Sequence, residues 1–181
     1  MVESSKKSQS FISSAAMISI TPAPIETTKT MDSPEGSKML TLESRENIGV
    51  ISYSIFVSSR SDGKRQLISE KENVSSPTLS IPFNTWSPNT NYFFLKEENP
   101  TVNNYYVYQS SGELFSNNLP YLSIQELFSK SFPNYVIEDV TGWADQGLLI
   151  VNTKSVQEDQ KLSFWFDLPS QSFIQLGTYF K

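Results

Sequence analysis

From Ile48 onward the chain is a succession of short apolar or alternating runs separated by turn residues. That texture predicts β-strands rather than helices. Ser52-Tyr53-Ser54-Ile55-Phe56-Val57 alternates at the strand period, and Ser61-Asp62-Gly63-Lys64 follows it. Asp-Gly tolerates the positive φ angles of a tight hairpin turn, so Lys64–Ser69 is expected to return as the second strand. Further strands are expected over Leu79–Thr85, Asn91–Lys96, Tyr105–Tyr108, Glu113–Phe115, Tyr135–Val140, Gly147–Thr153, Ser163–Asp167 and Phe173–Leu176. Two of these, around Tyr92-Phe93-Phe94-Leu95 and Leu148-Leu149-Ile150-Val151, are continuously apolar. Such runs suit strands covered on both faces.

One segment breaks the strand pattern. Ser123-Ile124-Gln125-Glu126 has the form of a capping box, with Leu122 and Leu127 at the flanking staple positions. Ile124, Leu127 and Phe128 make an apolar stripe at helical spacing, and Pro133 ends it. A helix of about two turns is not stable alone, so it must dock on the sheets.

Residues 1–43 differ again. Ser4, Ser5, Ser8, Ser10, Ser13 and Ser14 lead to Thr21-Pro22-Ala23-Pro24, then to Thr27, Thr28, Thr30 and Ser33-Pro34-Glu35-Gly36-Ser37. Ser/Thr/Pro-rich sequence buries too little apolar area to offset the entropy of ordering it. The segment is therefore read as a disordered tail, with a flexible linker or a spacer off a membrane or wall as its role. The folded part is assigned to residues 44–181.

The strands of that part line up as a repeat. One unit runs Thr85-Trp86-Ser87-Pro88-Asn89-Thr90-Asn91-Tyr92-Phe93-Phe94, then Tyr105-Val107-Tyr108 and a Ser-Gly turn. The next runs Gly142-Trp143-Ala144-Asp145-Gln146-Gly147-Leu148-Leu149-Ile150, then Phe164-Trp165-Phe166 and a Pro-Ser turn. The hairpin over 52–69 matches the last two strands of an earlier unit. Four-stranded repeats with an aromatic at a fixed place are a mark of propeller blades. The fold expected is all-β: about two and a half propeller-type four-stranded antiparallel sheets, one short inserted helix and the N-terminal tail.

Trp86-Ser87-Pro88-Asn89-Thr90-Asn91-Tyr92 resembles the W-S-P-D-G-K signature of the WD40-like repeats in TolB-type β-propellers. Trp143-Ala144-Asp145-Gln146-Gly147 is a looser copy without the Ser-Pro pair. Asn89-Thr90 stands where the signature has Asp-Gly, so the tight turn there must be made differently. The resemblance spans about residues 52–181 and implies a packing role for Trp86 and Trp143. It says little of function, since propellers of this kind serve in binding, in scaffolding and as covers on enzymes; the Ser/Thr/Pro-rich tail suggests display at the cell envelope or outside the cell. Closed propellers have about 4 to 8 blades, so either several chains pool blades into a ring or the sheets form an open stack.

Composition narrows the chemistry. The chain has no histidine, which excludes imidazole acid–base catalysis, Ser–His–Asp triads and histidine metal sites. It has no cysteine, which excludes thiol nucleophiles, disulfides and thiolate zinc sites. A net charge of −5 disfavours a phosphate backbone as partner. The most apolar stretch of the tail, Phe11–Ile20, is short and diluted by serine, far from the roughly 18 residues of a membrane helix. The chain thus reads as soluble, with no cofactor or metal expected.

The remaining candidates are few. Ser61 and Lys64 have Ser-x-x-Lys spacing, but on a hairpin turn and not on the helix that such acyl-transfer chemistry needs. Glu138 and Asp139 are neighbours on a strand and point to opposite faces, so they cannot form the facing pair of a glycosidase. A carboxylate hydrolase would need two distant acids to converge, with Asp145 and Asp167 the candidates. Tyr106 and Tyr108, with Asn103 and Asn104, could present an aromatic, hydrogen-bonding surface to a protein or glycan, although packing explains most of such a cluster. A non-catalytic binding or scaffold module is the favoured reading.

Overall fold

The structure is a computed structural model that describes residues 23–74 and 78–177. Three four-stranded sheets follow one another along the chain, each an antiparallel meander whose neighbours in sequence are neighbours in space. The first sheet contains β1 (Ile25–Asp32), β2 (Lys38–Asn47), β3 (Val50–Ser59) and β4 (Arg65–Val74). The second contains β5 (Thr78–Ser80), β6 (Tyr92–Glu98), β7 (Asn104–Gln109) and β8 (Tyr121–Ser123). After helix α1 (Ile124–Ser131) comes the third, with β9 (Tyr135–Asp145), β10 (Leu148–Ser155), β11 (Lys161–Asp167) and β12 (Ser172–Gln175).

The all-β plan is the one expected, but the half unit is a whole sheet. Its first two strands lie in residues 25–47, mostly inside the segment assigned to the tail. Edge-strand chemistry and linker chemistry coincide here. β1 is Ile-Glu-Thr-Thr-Lys-Thr-Met-Asp and almost fully exposed, so it shows no apolar face. Its threonines are nonetheless β-branched and suit a pleated edge. Residues 1–22 of the expected tail lie outside the described residues.

Two strand assignments also shift. Leu79–Thr85 is strand only over Thr78–Ser80, because Pro82 cannot continue the ladder. The chain rejoins β6 beyond it, where the Phe94 amide donates to the Thr85 carbonyl at 3.0 Å and Trp86 bridges Phe93. Glu113–Phe115 is loop; Asn118, at φ 59°, turns the chain back, and β8 starts at Tyr121.

The middle sheet is covered on both faces. Phe93, Leu95, Tyr106 and Tyr108 face the first sheet and pack with Leu40, Leu42, Tyr53 and Ile55. Phe94, Tyr105 and Val107 face the third and pack with Leu149, Val151, Phe164 and Phe166. The apolar run Tyr92-Phe93-Phe94-Leu95 therefore feeds two cores by simple alternation. Leu148-Leu149-Ile150-Val151 behaves differently: Leu149 and Val151 are buried, while Leu148 and Ile150 stay partly open on the far face.

The helix closes one end of the second core. Ser123 Oγ accepts from the Glu126 amide at 3.3 Å, which is half of the capping box. Phe128 is buried among the rings of Phe132, Phe164 and Phe173 at centroid distances of 5.2, 5.2 and 5.1 Å. The two edge contacts with Phe164 of β11 and Phe173 of β12 dock a helix far too short to persist by itself.

The β2–β3 hairpin carries a local conflict. Its two-residue loop puts Ile48 at φ 46° and Gly49 at φ 75°, the pattern of a type I′ turn. A β-branched residue is costly in that region, and Ile48 is 78% exposed, so no packing offsets the cost. Ile48→Asn restores the preferred Asn-Gly pair. It is expected to raise stability by about 1 kcal/mol, read as a higher urea midpoint at unchanged m-value.

Candidate functional site

The three sheets are joined along the edge formed by their first strands. Ser87 makes the tight turn into β6. Its amide donates to Tyr92 O at 2.9 Å, its hydroxyl accepts from the Tyr92 amide at 3.0 Å, and its carbonyl accepts from Thr90 at 2.9 Å. Ser33 makes the same three bonds in the first sheet, with the Lys38 carbonyl at 2.9 Å, the Lys38 amide at 2.9 Å and the Gly36 amide at 2.8 Å. Gly36 at φ 70° and Thr90 at φ 56° occupy the same left-handed position. Thr90 thus makes the turn that the signature gives to glycine.

Asp32-Ser33-Pro34-Glu35-Gly36-Ser37 thus makes the same turn as Trp86-Ser87-Pro88-Asn89-Thr90-Asn91, with aspartate in place of tryptophan. The Ser-Pro pair was the signal, masked by its Ser/Thr-rich surroundings. Trp86 and Trp143 each tie their sheet to the one before. The Trp86 indole donates to Met31 O at 3.2 Å, and the Trp143 indole to Thr85 O at 3.0 Å, each to the residue just before Asp32 or Trp86. Asp32 instead pairs with Arg60 of its own sheet at 2.6 Å.

The turns also touch one another. Thr90 donates to Glu35 at 3.0 Å, and the Lys38 ammonium reaches Thr90 O at 3.1 Å and Ser110 Oγ at 2.8 Å. The Glu35 backbone amide holds the Glu35 carboxyl below its ordinary value against desolvation, and Thr90, Ser37 and the Lys38 charge add to the lowering.

A groove of 700 Å³ runs along this edge, lined by Met31, Pro34, Phe83, Trp86, Pro88 and Trp143 among others. Phe83 stands 87% exposed beside it. Pro82 ends β5 just before Phe83, and Asn84 pins the loop through a 3.1 Å bond to Thr141 O. The close approach depends on Gly142: at φ 140°, a Cβ there would lie 2.8 Å from Asn84 Cβ. This loop carries the residue that sequence reading missed, since a lone Phe after Ile-Pro reads as core.

The tyrosine–asparagine candidates lie elsewhere, toward the first sheet. Tyr108 is buried, stacked on Phe93 at 5.2 Å. Tyr106 is nearly buried and donates to Glu97 at 2.8 Å, as Asn104 does at 2.9 Å. Asn103 accepts from the Asn99 amide at 3.4 Å in the preceding turn. Tyr106 and Asn104 are thus brought together, but around a carboxylate of the same sheet. Lys71 of β4 completes the cluster, ion-paired with Glu97 and 4.0 Å above the Tyr106 ring.

The acid candidates are engaged locally. Asp145 and Asp167 flank Leu148 in the third sheet, in one row across three strands. Asp145 accepts from the Gln146 amide at 2.7 Å, and Asp167 caps its turn by accepting from the Ser170 amide at 3.1 Å. Glu138 pairs with Lys161 at 3.0 Å, and Asp139 accepts from the Tyr105 hydroxyl at 3.1 Å. Lys64, proposed with Ser61, pairs with Asp62 at 3.4 Å on an exposed turn. No group of acids able to hold a metal ion occurs among the described residues. No described helix is long and apolar enough to cross a membrane.

No protein-family model matches the chain, and no curated protein matches it significantly.

The Glu97 cluster gives a stability prediction. Burial disfavours the Glu97 anion, but hydrogen bonds from Asn104, Lys71 and Tyr106 and the Lys71 charge outweigh it, so the carboxyl is held below its ordinary value. A depressed folded pKa stabilises the fold above the unfolded value, and that stabilisation is lost as pH falls through the folded value. Removing Lys71 leaves the buried Glu97 carboxylate its hydrogen bonds from Asn104 and Tyr106 but takes away the Lys71 charge. Lys71→Met is therefore expected to cost about 3–5 kcal/mol in urea unfolding at neutral pH. Glu97→Gln is expected to flatten the decline in stability through the acid range.

Proposed function

We propose that this chain is a non-catalytic binding or scaffold module of propeller type, related to the WD40-like repeats of TolB-type propellers, and that it holds a protein partner in the groove along the first-strand edge. The observation that carries this reading is the convergence of apolar side chains from all three sheets on one groove, with Phe83 87% exposed at its side. Packing does not need Phe83 there. A large exposed aromatic beside two tryptophans and two prolines is the composition of an interface core.

The TolB-like relation is supported by the two Ser-Pro turns with identical hydrogen bonds and by the indoles at matching places. The binding reading is supported further by the lack of His and Cys and by the local engagement of Asp145 and Asp167. The Ser/Thr-rich sequence ahead of β1 suits a spacer, so the proposal includes display at the cell envelope or outside the cell.

A display library of random linear peptides, selected against the immobilised chain, tests the reading. Enriched peptides are expected to carry aromatic or aliphatic anchors. Their affinity is expected to fall at least tenfold, about 1.4 kcal/mol, on Phe83→Ser. Leu67→Ser, at an exposed position of β4, serves as the control and should leave affinity unchanged. Peptides that bind both variants and the parent equally would place the partner elsewhere.

A further inference from the structure

Among the described residues β1 is an open edge of the first sheet. In its ladder with β2 the Ser33 amide donates to Lys38 O at 2.9 Å, so the odd-numbered residues turn their backbone groups toward β2. Those of Glu26, Thr28 and Thr30 point the other way, out of the sheet edge. Among the side chains, Met31 packs against the first core, and Ile25, Thr27 and Lys29 share its face. Ile25 is left 64% exposed. An edge of this kind is a template for a further strand.

The edge leads into the groove, whose near wall is Met31, Asp32 and Pro34. Inside the groove the edge carbonyls are taken. Met31 O, Thr85 O and Thr141 O accept from Trp86, Trp143 and Asn84. An occupant there is held by its side chains, while the open backbone of β1 can hold what leads up to it.

The sequence directly ahead of β1 fits both demands. Thr21-Pro22-Ala23-Pro24 makes a four-residue loop whose two prolines have no amide to leave unpaired. In antiparallel register it sets Ile20 opposite Ile25, Ile18 opposite Thr27 and Ala16 opposite Lys29. Ile18 and Ile20 then fall on the Met31 face, where Ile20 covers Ile25. Ser13 and Ser19 join Asp32 and Glu26 on the other face, with Met17 the one large apolar side chain between them. A loop one residue longer or shorter would turn both isoleucines to that polar face. In the same register Phe11, Ile12 and Ser13 stand abreast of Pro34, Ser33 and Asp32, beside the groove.

We propose that residues 13–20 add a fifth strand to the first sheet and that Phe11 and Ile12 beyond it occupy the groove, so that a partner binds only by displacing them. The displacement rests on the binding role given to the groove above; the strand does not. The covalent tether keeps the segment at an effective concentration on the order of 1 mM, so a modest fit holds it in place.

The chain has no cysteine, so pairs of introduced thiols in the full chain report the register. Oxidised glutathione serves as oxidant, and intact mass reads closure. Ala16 and Lys29 would form a non-hydrogen-bonded pair, with Cα atoms about 4.5 Å apart and within disulfide reach. Ala16→Cys with Lys29→Cys should therefore close about tenfold faster than Ala16→Cys with Thr27→Cys or with Ile25→Cys. A free chain gives the opposite order, because Thr27 and Ile25 are nearer to Ala16 in sequence. At the groove, Ile12→Cys should close about tenfold faster with Phe83→Cys than with Leu67→Cys, although Leu67 is nearer in sequence. Ile25, Thr27, Lys29, Leu67 and Phe83 are all exposed, and far-UV circular dichroism confirms that each variant is folded. Rates that simply follow sequence separation overturn the added strand. A Phe83 pair no faster than the Leu67 pair overturns occupancy of the groove. Neither measurement involves a partner, so both are told apart from a failed peptide selection.

Discussion

The rest of the structure depends on a middle sheet that has no water-facing side. From Phe93 to Leu95 in β6 and from Tyr105 to Tyr108 in β7 every side chain enters one core or the other, so alternation sorts partners instead of separating inside from outside. Phe93, Leu95, Tyr106 and Tyr108 serve the first sheet; Phe94, Tyr105 and Val107 serve the third. Each such side chain contributes about 1.5–3 kcal/mol on burial, against about 1 kcal/mol for a net hydrogen bond. Burial holds the stack together. A slip of one residue in β6 would exchange the two cores, so the register is strongly specified.

Hydrogen bonds then decide how the sheets sit on one another. The Trp86 and Trp143 indoles reach carbonyls at equivalent places in the preceding sheets. The Ser33 and Ser87 turns are built alike and touch through Thr90, Glu35 and Lys38. Lys71 and Glu97 make a charged bond between the first two sheets. A buried pair of this kind contributes little net stability, but it penalises any arrangement that separates the charges. Its role is to select one stacking.

Function follows from what this sorting leaves over. The joined edge gathers apolar side chains from three sheets into one groove, and the break of β5 at Pro82 sets Phe83 outside it. The third sheet keeps Ile174, Trp165 and Ile150 in one row on its outer face, and the first keeps Phe56 and Leu67 opposite each other on its own.

Strand identity was legible because it is local. The alternation in 52–57, the Asp-Gly turn, the capping box at Ser123 and the apolar runs of β6 and β10 each state their structure within a few residues. The like-placed indoles were legible in Trp86 and Trp143. The turn that matches the one at Ser87 was hidden at Ser33-Pro34, where an exposed, Thr-rich edge strand has the composition of a linker. Site residues were less legible. Tyr106 and Asn104 do meet, but on Glu97 and a lysine 26 residues before it, and Lys71 in Ser69-Glu70-Lys71-Glu72 has the look of a solvated charge run. By itself the sequence determined the strands, the turns, the helix cap and the kind of sheet, because periodicity and backbone preference act over a few residues. Only the tertiary structure decided which face of each strand met which neighbour. The pairing of Lys71 with Glu97 and the exposure of Phe83 depend on contacts between sheets far apart in the chain.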